Sequence, residues 1–153
     1  MRAVALFLVA AGSVLGAPFT EVELTADPPG PRVQVHTVRF APSETRVYDE
    51  LIFSCRYRQT FLQPDRRGGL TNRVHSPGFP FVYREAQVRM VAGLDKHLAF
   101  RVPVNLGELR DQFGPVSFVT NAPVHVHEVT VSALADGKPV WTITLEPGQV
   151  KRP

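Results

Sequence analysis

Cysteine is nearly absent, since the 153 residues include only Cys55. A single cysteine excludes an intramolecular disulfide and a Cys-x-x-Cys redox motif. In the alternating segment 51–58, Cys55 shares one strand face with Leu51, Phe53 and Tyr57, which predicts a buried thiol that packs as a small hydrophobic group. An intermolecular disulfide or a reactive thiol is the alternative.

Motifs of catalysis are missing as well. The chain has no Gly-x-Ser-x-Gly turn, no phosphate-binding glycine loop and no acidic pair of definable spacing. These absences favour a protein that is not an enzyme. A metal-dependent hydrolase is the exception to consider, because it needs only a metal site with an open position and a general base such as Glu128 or Asp136.

Excess charge of one sign is also missing. Seventeen Lys and Arg residues face 14 Asp and Glu residues, and the formal net charge is +3. It falls to +2 if Arg2 is removed with an N-terminal segment, and the surplus is spread along the chain. Because an exported protein with no basic block rarely meets nucleic acid, we expect no nucleic-acid partner.

The N-terminus has the pattern of a signal peptide over residues 1–16. Arg2 provides the positive charge, residues 3–11 an apolar core, and residues 13–17 small side chains at the cleavage zone. The apolar core is too short for a stop-transfer helix, although an uncleaved membrane anchor is the alternative. We therefore predict a secreted or periplasmic mature chain, residues 17–153, that forms one domain and does not span a membrane.

The clearest local signal is a β-hairpin over residues 124–146. Both arms are rich in β-branched and aromatic residues, and Asp136-Gly137 favours a type I′ turn. A two-residue turn there predicts that His127 lies opposite Glu146. One face would then carry His125, His127, Val129, Val131, Ala133, Val140, Thr142 and Thr144, and the other Val124, Val126, Leu134, Trp141, Ile143 and Leu145.

Short extended segments separated by turn residues occur throughout the rest of the chain. Strands are predicted near residues 20–25, 33–40, 46–61, 81–92, 96–104 and 116–120. One short helix is predicted over residues 106–113, where Leu106, Leu109 and Phe113 share a face before Gly114-Pro115 ends it. The pattern predicts an all-β fold, an antiparallel β-sandwich with one short helix.

This outline is similar to immunoglobulin-like and fibronectin-III-like sandwiches, and a jelly-roll or partly closed barrel fits the same strands. The resemblance is one of architecture. The chain lacks the paired cysteines of immunoglobulin domains, and Trp141 lies late in the sequence. The resemblance therefore implies no functional residues.

A candidate contact surface lies in residues 64–81, which read as one long loop, a kind of segment that is often functional. Arg66 and Arg67 lie near its start, and Phe79, Phe81 and Tyr83 alternate at its exit. Arginine and aromatic side chains dominate binding hot spots, so these five residues predict a site for an envelope or extracellular protein, or for a glycan. Alternatively, the aromatics enter the core as the next strand begins.

Arginines on the strands that flank this segment are open to two interpretations. Arg56, Arg58, Arg84 and Arg89 either extend the contact surface or solvate a sheet face, and we favour the solvated face.

A candidate metal site comprises His125, His127 and Glu146. Two residues apart on a strand, the histidines leave one face about 6.6–7 Å apart, and the hairpin places Glu146 opposite His127. Zn or Cu(II) suits such ligands, although one bulge would remove Glu146 from the site. Metal binding is the alternative to our main expectation, a cofactor-free exported module with a binding or structural role.

Overall fold

The chain was analysed in a computed structural model that describes residues 18–30, 32–119 and 123–153. The predicted signal peptide, residues 1–16, lies outside them. The strands are β1 Phe19–Ala26, β2 Val33–Pro42, β3 Arg46–Pro64, β4 Leu70–His75, β5 Phe81–Met90, β6 Lys96–Pro103, β7 Ser117–Phe118, β8 Val124–Ala135, β9 Lys138–Leu145 and β10 Val150–Lys151; the helix is α1 Leu106–Phe113.

All strands pair antiparallel in two sheets. The first sheet has the order β10-β1-β2-β6. The second is built on β3, a strand of 19 residues, which pairs with β5 and β4 along one edge and with β8 and β7 along the other, while β9 extends β8. Over residues 18–30, 32–119 and 123–153, the predictions of an all-β fold, antiparallel sheets and one short helix are confirmed. The particular type of sandwich stays a prediction.

One hydrophobic core joins the two sheets, because alternate residues of β2, β3 and β8 point inward. Phe53 of β3 is fully buried, and its ring centroid lies 5.1 Å from that of Phe100 on β6. Trp141 of β9 makes edge contacts with Phe19 of β1 and Tyr48 of β3. These aromatic contacts link the two sheets.

Helix α1 covers the C-terminal half of β3. The Asn105 side chain caps its N-terminus by accepting a hydrogen bond from the Glu108 N–H at 3.1 Å. The buried Leu109 and the ring of Phe113 face the strand, and Phe113 lies 4.9 Å from Phe61. The helix ends at Gly114, whose φ of 75° is unfavourable for other residues. The cap and this packing hold the start of α1 beside β3.

The predicted hairpin forms, but its register was wrong beyond the turn. Asp136 and Gly137 have φ values of 53° and 72°, as a type I′ turn requires. A bulge follows at once, so that Val140 is an extra residue and Ala133 pairs with Trp141. The bulge brings two apolar sets onto the same inner face: Val129, Val131 and Ala133 from β8, and Trp141, Ile143 and Leu145 from β9.

The physical reason for the shift is that both apolar sets can be buried in one core only if the register moves by one residue. Pro139 contributes at the same point, because it has no N–H for the ladder and β9 is an edge strand. The outer face then carries hydroxyl pairs, with Thr130 and Thr144 at 3.0 Å and Ser132 and Thr142 at 3.2 Å.

A second bulge lies in β8 at His127. Arg56 of β3 pairs with Glu128, and the next pair is Tyr57 with Val126, so that His127 has no partner across this ladder. Val126 and Val129 are therefore both buried although they are three residues apart, and His127 is exposed on the outer face.

The prediction of one long loop over residues 64–81 was wrong, because the chain folds back as a hairpin. The Asp65 carboxylate accepts hydrogen bonds from the N–H groups of Arg67 at 2.8 Å and Gly69 at 2.9 Å. This side-chain turn reverses the chain, and β4 then pairs with β3 from Pro64 to Gln59. The loop that remains is residues 76–80.

The burial of Cys55 leads to a chemical prediction. Its side chain is 0% exposed, and burial raises the pKa of the thiol to about 12. We expect no reaction with Ellman's reagent at pH 8 until the chain is unfolded, because the thiolate is the nucleophile. Thr71→Cys, on the exposed strand β4, is the matched control and should react at once. Rapid labelling of Cys55 in the native wild type would contradict its burial.

Candidate binding site at the Phe79 loop

The second sheet has a gap along one edge of β3. Strand β5 pairs with this edge up to Cys55, and β4 pairs with it from Gln59 onward. Residues 56–58 therefore have no strand partner on this edge within the described chain. The chain crosses the gap as residues 76–80, which we call the Phe79 loop. Two of its five residues are prolines, which lack an N–H and so cannot complete the ladder.

Phe79 forms a ridge at this gap, with 87% of its surface exposed. It lines two concavities, an outer pocket of about 250 Å³ and an inner groove of about 690 Å³. Tyr57, Pro77 and Pro80 also line both of them. The loop is thus the wall between the pocket and the groove.

The outer pocket is basic. Arg56 and His127 line it together with the Phe79 loop, and Arg58 lies opposite His125 on the same two strands. These four side chains have no hydrogen-bond or ion-pair partner in the described chain. Partial burial lowers the pKa of His125, and the charges of Arg58 and His127 lower it further. The pocket therefore carries positive charge that no carboxylate neutralises by direct contact.

The inner groove is acidic and partly apolar. Its walls come from β5, through Phe81 and Val82, and from the first turns of α1, through Glu108 and Asp111. The Glu108 carboxylate lies 3.1 Å from His75 Nε2, at the end of β4. The two sides of the Phe79 ridge thus differ in the sign of their charge.

The predicted contact residues are only partly brought together. Phe79 lies on the ridge, but Phe81 and Tyr83 are half-buried against the core, as the alternative interpretation expected. The Tyr83 ring stacks on Phe100 at 5.8 Å and lies 5.8 Å from Phe53. Phe81 still lines the inner groove.

Arg66 and Arg67 lie apart from Phe79. They are exposed in the turn between β3 and β4. Strand β3 reaches Pro64, five residues or about 17 Å beyond Gln59 at the edge of the gap, before that turn begins. The two arginines therefore belong to a different surface.

The proposed metal ligands are separated by the bulges. The pairing of His127 with Glu146 is absent, because β9 ends at Leu145 and Val129 lies opposite that residue. The Glu146 N–H donates to the Gln149 side chain at 2.9 Å as the chain leaves the sheet. The prediction that Glu146 faces His127 was wrong. The described residues contain no group of three or more His, Cys, Asp or Glu that could hold a metal ion. Zn or Cu binding by His125 and His127 stays a prediction.

Arg56 and Arg58 are exposed, as their assignment to a solvated face expects, but the sequence did not place them beside the histidines of β8. Alternation alone places both arginines on one side of β3. Their position next to His125 and His127 depends on the pairing of β3 with β8, whose partners are about 70 residues apart in sequence. No local signal reports that pairing.

No protein-family model and no curated protein matches the chain. Among solved structures it is similar to the sporulation control protein Spo0M from Bacillus subtilis, with 9% identity and a TM-score of 0.39. The match covers 83% of this chain and 48% of Spo0M, so the chain spans about half of that protein. A likeness this weak supports no functional argument.

No helix in the described ranges is long and apolar enough to cross a membrane.

Proposed function

We propose that this chain is an exported, non-catalytic binding module that contacts another protein of the cell envelope or extracellular space through the Phe79 loop. The observation that supports this proposal most directly is the 87% exposure of Phe79 on a ridge between two concavities. When a partner covers such a ring, the removal of the ring from water contributes about 1.5–3 kcal/mol to the free energy of binding. In the free chain the exposed ring contributes no such stabilisation.

The setting of the loop favours recognition. Its ends continue directly into β4 and β5, which both pair with β3, so the ridge is tied to the rigid part of the sheet. Pro77 and Pro80 restrict the backbone between these ends. A loop that is already ordered loses less conformational entropy when a partner binds. The concavities on either side offer places for the partner's side chains, as interface anchors commonly require.

The test compares capture of partners by three forms of the mature chain. Phe79→Ala removes the ridge. Leu94→Ala is the control, because Leu94 is also an exposed apolar residue, at 63%, but lies in the turn between β5 and β6. Each form is immobilised and exposed to envelope and secreted fractions of the producing cell. We expect recovery of a specific partner to fall about tenfold with Phe79→Ala, a loss of about 1.4 kcal/mol, and to be unchanged with Leu94→Ala.

Equal recovery by Phe79→Ala and wild type would reject the Phe79 loop as the contact. Thermal unfolding of both variants serves as the folding control. Exposed positions that make no core contact change stability by about 0.5 kcal/mol or less, so a lost partner cannot be attributed to unfolding.

A further inference from the structure

The arginines on the outer faces of the sheets differ in their ion pairs, since Arg39 and Arg84 contact carboxylates and Arg56 and Arg58 do not within the described residues. On the first sheet, Arg39 contacts Glu21, Glu23 and Asp95, so its charge is balanced by its neighbours. On the second sheet, beside the Phe79 loop, Arg56 and Arg58 have no such partner in the described chain. Their exposed guanidinium groups are therefore available to an external anion.

Arg56 and Arg58 also have basic neighbours. His125 and His127 project from β8 on the outer face, next to the two arginines. The acidic residue on this part of β8 is Glu128, which lies opposite Arg56 in the ladder without forming an ion pair. Four basic side chains and one carboxylate thus lie on this part of β3 and β8, and two of the basic ones, Arg56 and His127, line the outer pocket together with the Phe79 loop.

We propose that this outer pocket binds a carboxylate side chain in an extended peptide segment of the partner protein, with Arg56 and His127, which line the pocket, as the contacts and Arg58, two residues further along β3, beside them. This assignment rests on the proposed function and specifies the chemistry of the partner. A guanidinium group matches a carboxylate with two parallel hydrogen bonds, which makes arginine the strongest side chain for this purpose. The pocket volume of about 250 Å³ lies below that of typical small-molecule sites and suits a single side chain.

The opposite charge of the inner groove argues for a peptide over a polyanionic glycan. Glu108 and Asp111 line the groove on the other side of Phe79, and they would repel a polymer that carries negative charge throughout. A peptide can place an acidic residue in the outer pocket and a basic or neutral residue in the groove. An apolar residue between them would cover Phe79. The two sides of the ridge therefore select against a uniformly charged ligand.

The gap along the edge of β3 is a further reason to assign an extended peptide as the ligand. Residues 56–58 have no strand partner on the edge where the Phe79 loop passes. Peptide recognition at sheet edges uses such free backbone together with pockets for side chains. An extended segment that enters between the loop and β3 would meet both the free edge and Arg56.

The experiment uses the mature chain labelled with ¹⁵N and the peptide acetyl-Glu-Glu-Leu-Lys-Lys-amide, followed by NMR chemical shifts up to about 10 mM peptide. We expect saturable shifts at residues 56–58 and 76–80. The double variant Arg56→Gln, Arg58→Gln should bind about tenfold more weakly. The matched control Arg66→Gln, Arg67→Gln removes the same charge in the turn between β3 and β4 and should bind like wild type. Replacing both glutamates of the peptide by glutamine should weaken binding by the same factor.

Three results would overturn the assignment. They are the absence of shifts at the pocket, unchanged affinity in the Arg56→Gln, Arg58→Gln variant, and tighter binding of polygalacturonate than of the peptide.

Partner capture separates this inference from the proposed function. Loss of the partner with Phe79→Ala but not with the arginine variant would leave the proposed function standing and refute the carboxylate site. Full capture by Phe79→Ala would refute the proposed function. The peptide titration would still show whether the outer pocket binds a carboxylate.

Discussion

Replacing Phe53 with alanine is expected to lower the free energy of unfolding by about 3–5 kcal/mol. Phe53 is 0% exposed at the middle of β3, where β5 and β8 pair on both sides. Its ring contacts Phe100 of the facing sheet at 5.1 Å and Tyr83 at 5.8 Å. Truncation leaves a cavity between the sheets, which strands with paired neighbours cannot easily fill by moving inward.

Urea unfolding, followed by the fluorescence of Trp141, measures this effect. Phe79→Ala is the control, because it removes the same side chain from an exposed position and should change stability by about 0.5 kcal/mol or less. If Phe53→Ala lowers the free energy of unfolding no more than Phe79→Ala does, the two sheets do not share a core at Phe53. The packing of the two sheets against each other would then be wrong.

Replacing Gln34 with leucine is expected to lower the free energy of unfolding by about 1–3 kcal/mol, although leucine is the more hydrophobic residue. Gln34 is a core residue of β2 with 5% exposure. Its side-chain oxygen accepts a hydrogen bond from the Val126 N–H at 3.2 Å, next to the bulge at His127. Its side-chain amide donates to the Asp27 carbonyl at 3.3 Å. Leucine cannot replace either bond, so the buried Val126 N–H loses its partner.

Two measurements check this prediction. Urea unfolding gives the stability change, with Gln112→Leu on the exposed side of α1 as a control that should cost about 0.5 kcal/mol or less. Hydrogen exchange of the Val126 amide should become faster in Gln34→Leu than in wild type. Wild-type stability together with wild-type protection of Val126 would show that Gln34 does not hold β2 against β8.

Features that depend on neighbouring residues were predictable. Alternation of apolar and polar residues identified β2, β3 and β8, because one face of each strand is buried. The turn at Asp136-Gly137 was predicted because these residues tolerate positive φ, and both adopt it. The short helix followed from three apolar residues on one face and a glycine stop.

The turn between β3 and β4 was not predicted, because a side chain and not a glycine pair stabilises it. The hairpin of β3 and β4 depends on the Asp65 carboxylate, which accepts two backbone hydrogen bonds and reverses the chain. Strand β4 is exposed along nearly its whole length, so its sequence has no hydrophobic alternation that would indicate a strand. The glycines and arginines around the turn were read as the middle of a long loop for that reason.

In the candidate site, too, the feature that depends on neighbouring residues was predictable, and the feature that depends on distant strand pairing was not. Phe79 was identified from the sequence, because Phe79, Phe81 and Tyr83 alternate at the end of the segment 64–81 and such aromatic side chains are typical of binding surfaces. The basic pocket beside it was not, since it joins residues of β3 and β8 that are about 70 positions apart. The predicted pairing of Glu146 with His127 failed for a related reason: the extra residue at Val140 shifted the register, so that Val129 lies opposite Leu145, where β9 ends.

Local chemistry along the chain was therefore sufficient to set which segments extend, where they turn and which residues are apolar enough to be buried. It was not sufficient to set register and strand order, because a shift of one residue exchanges the two faces of a strand and its cost is decided by distant partners. Here the burial of Trp141, Ile143 and Leu145 against the first sheet selected the bulge, and the pairing of β3 with β8 assembled the basic pocket.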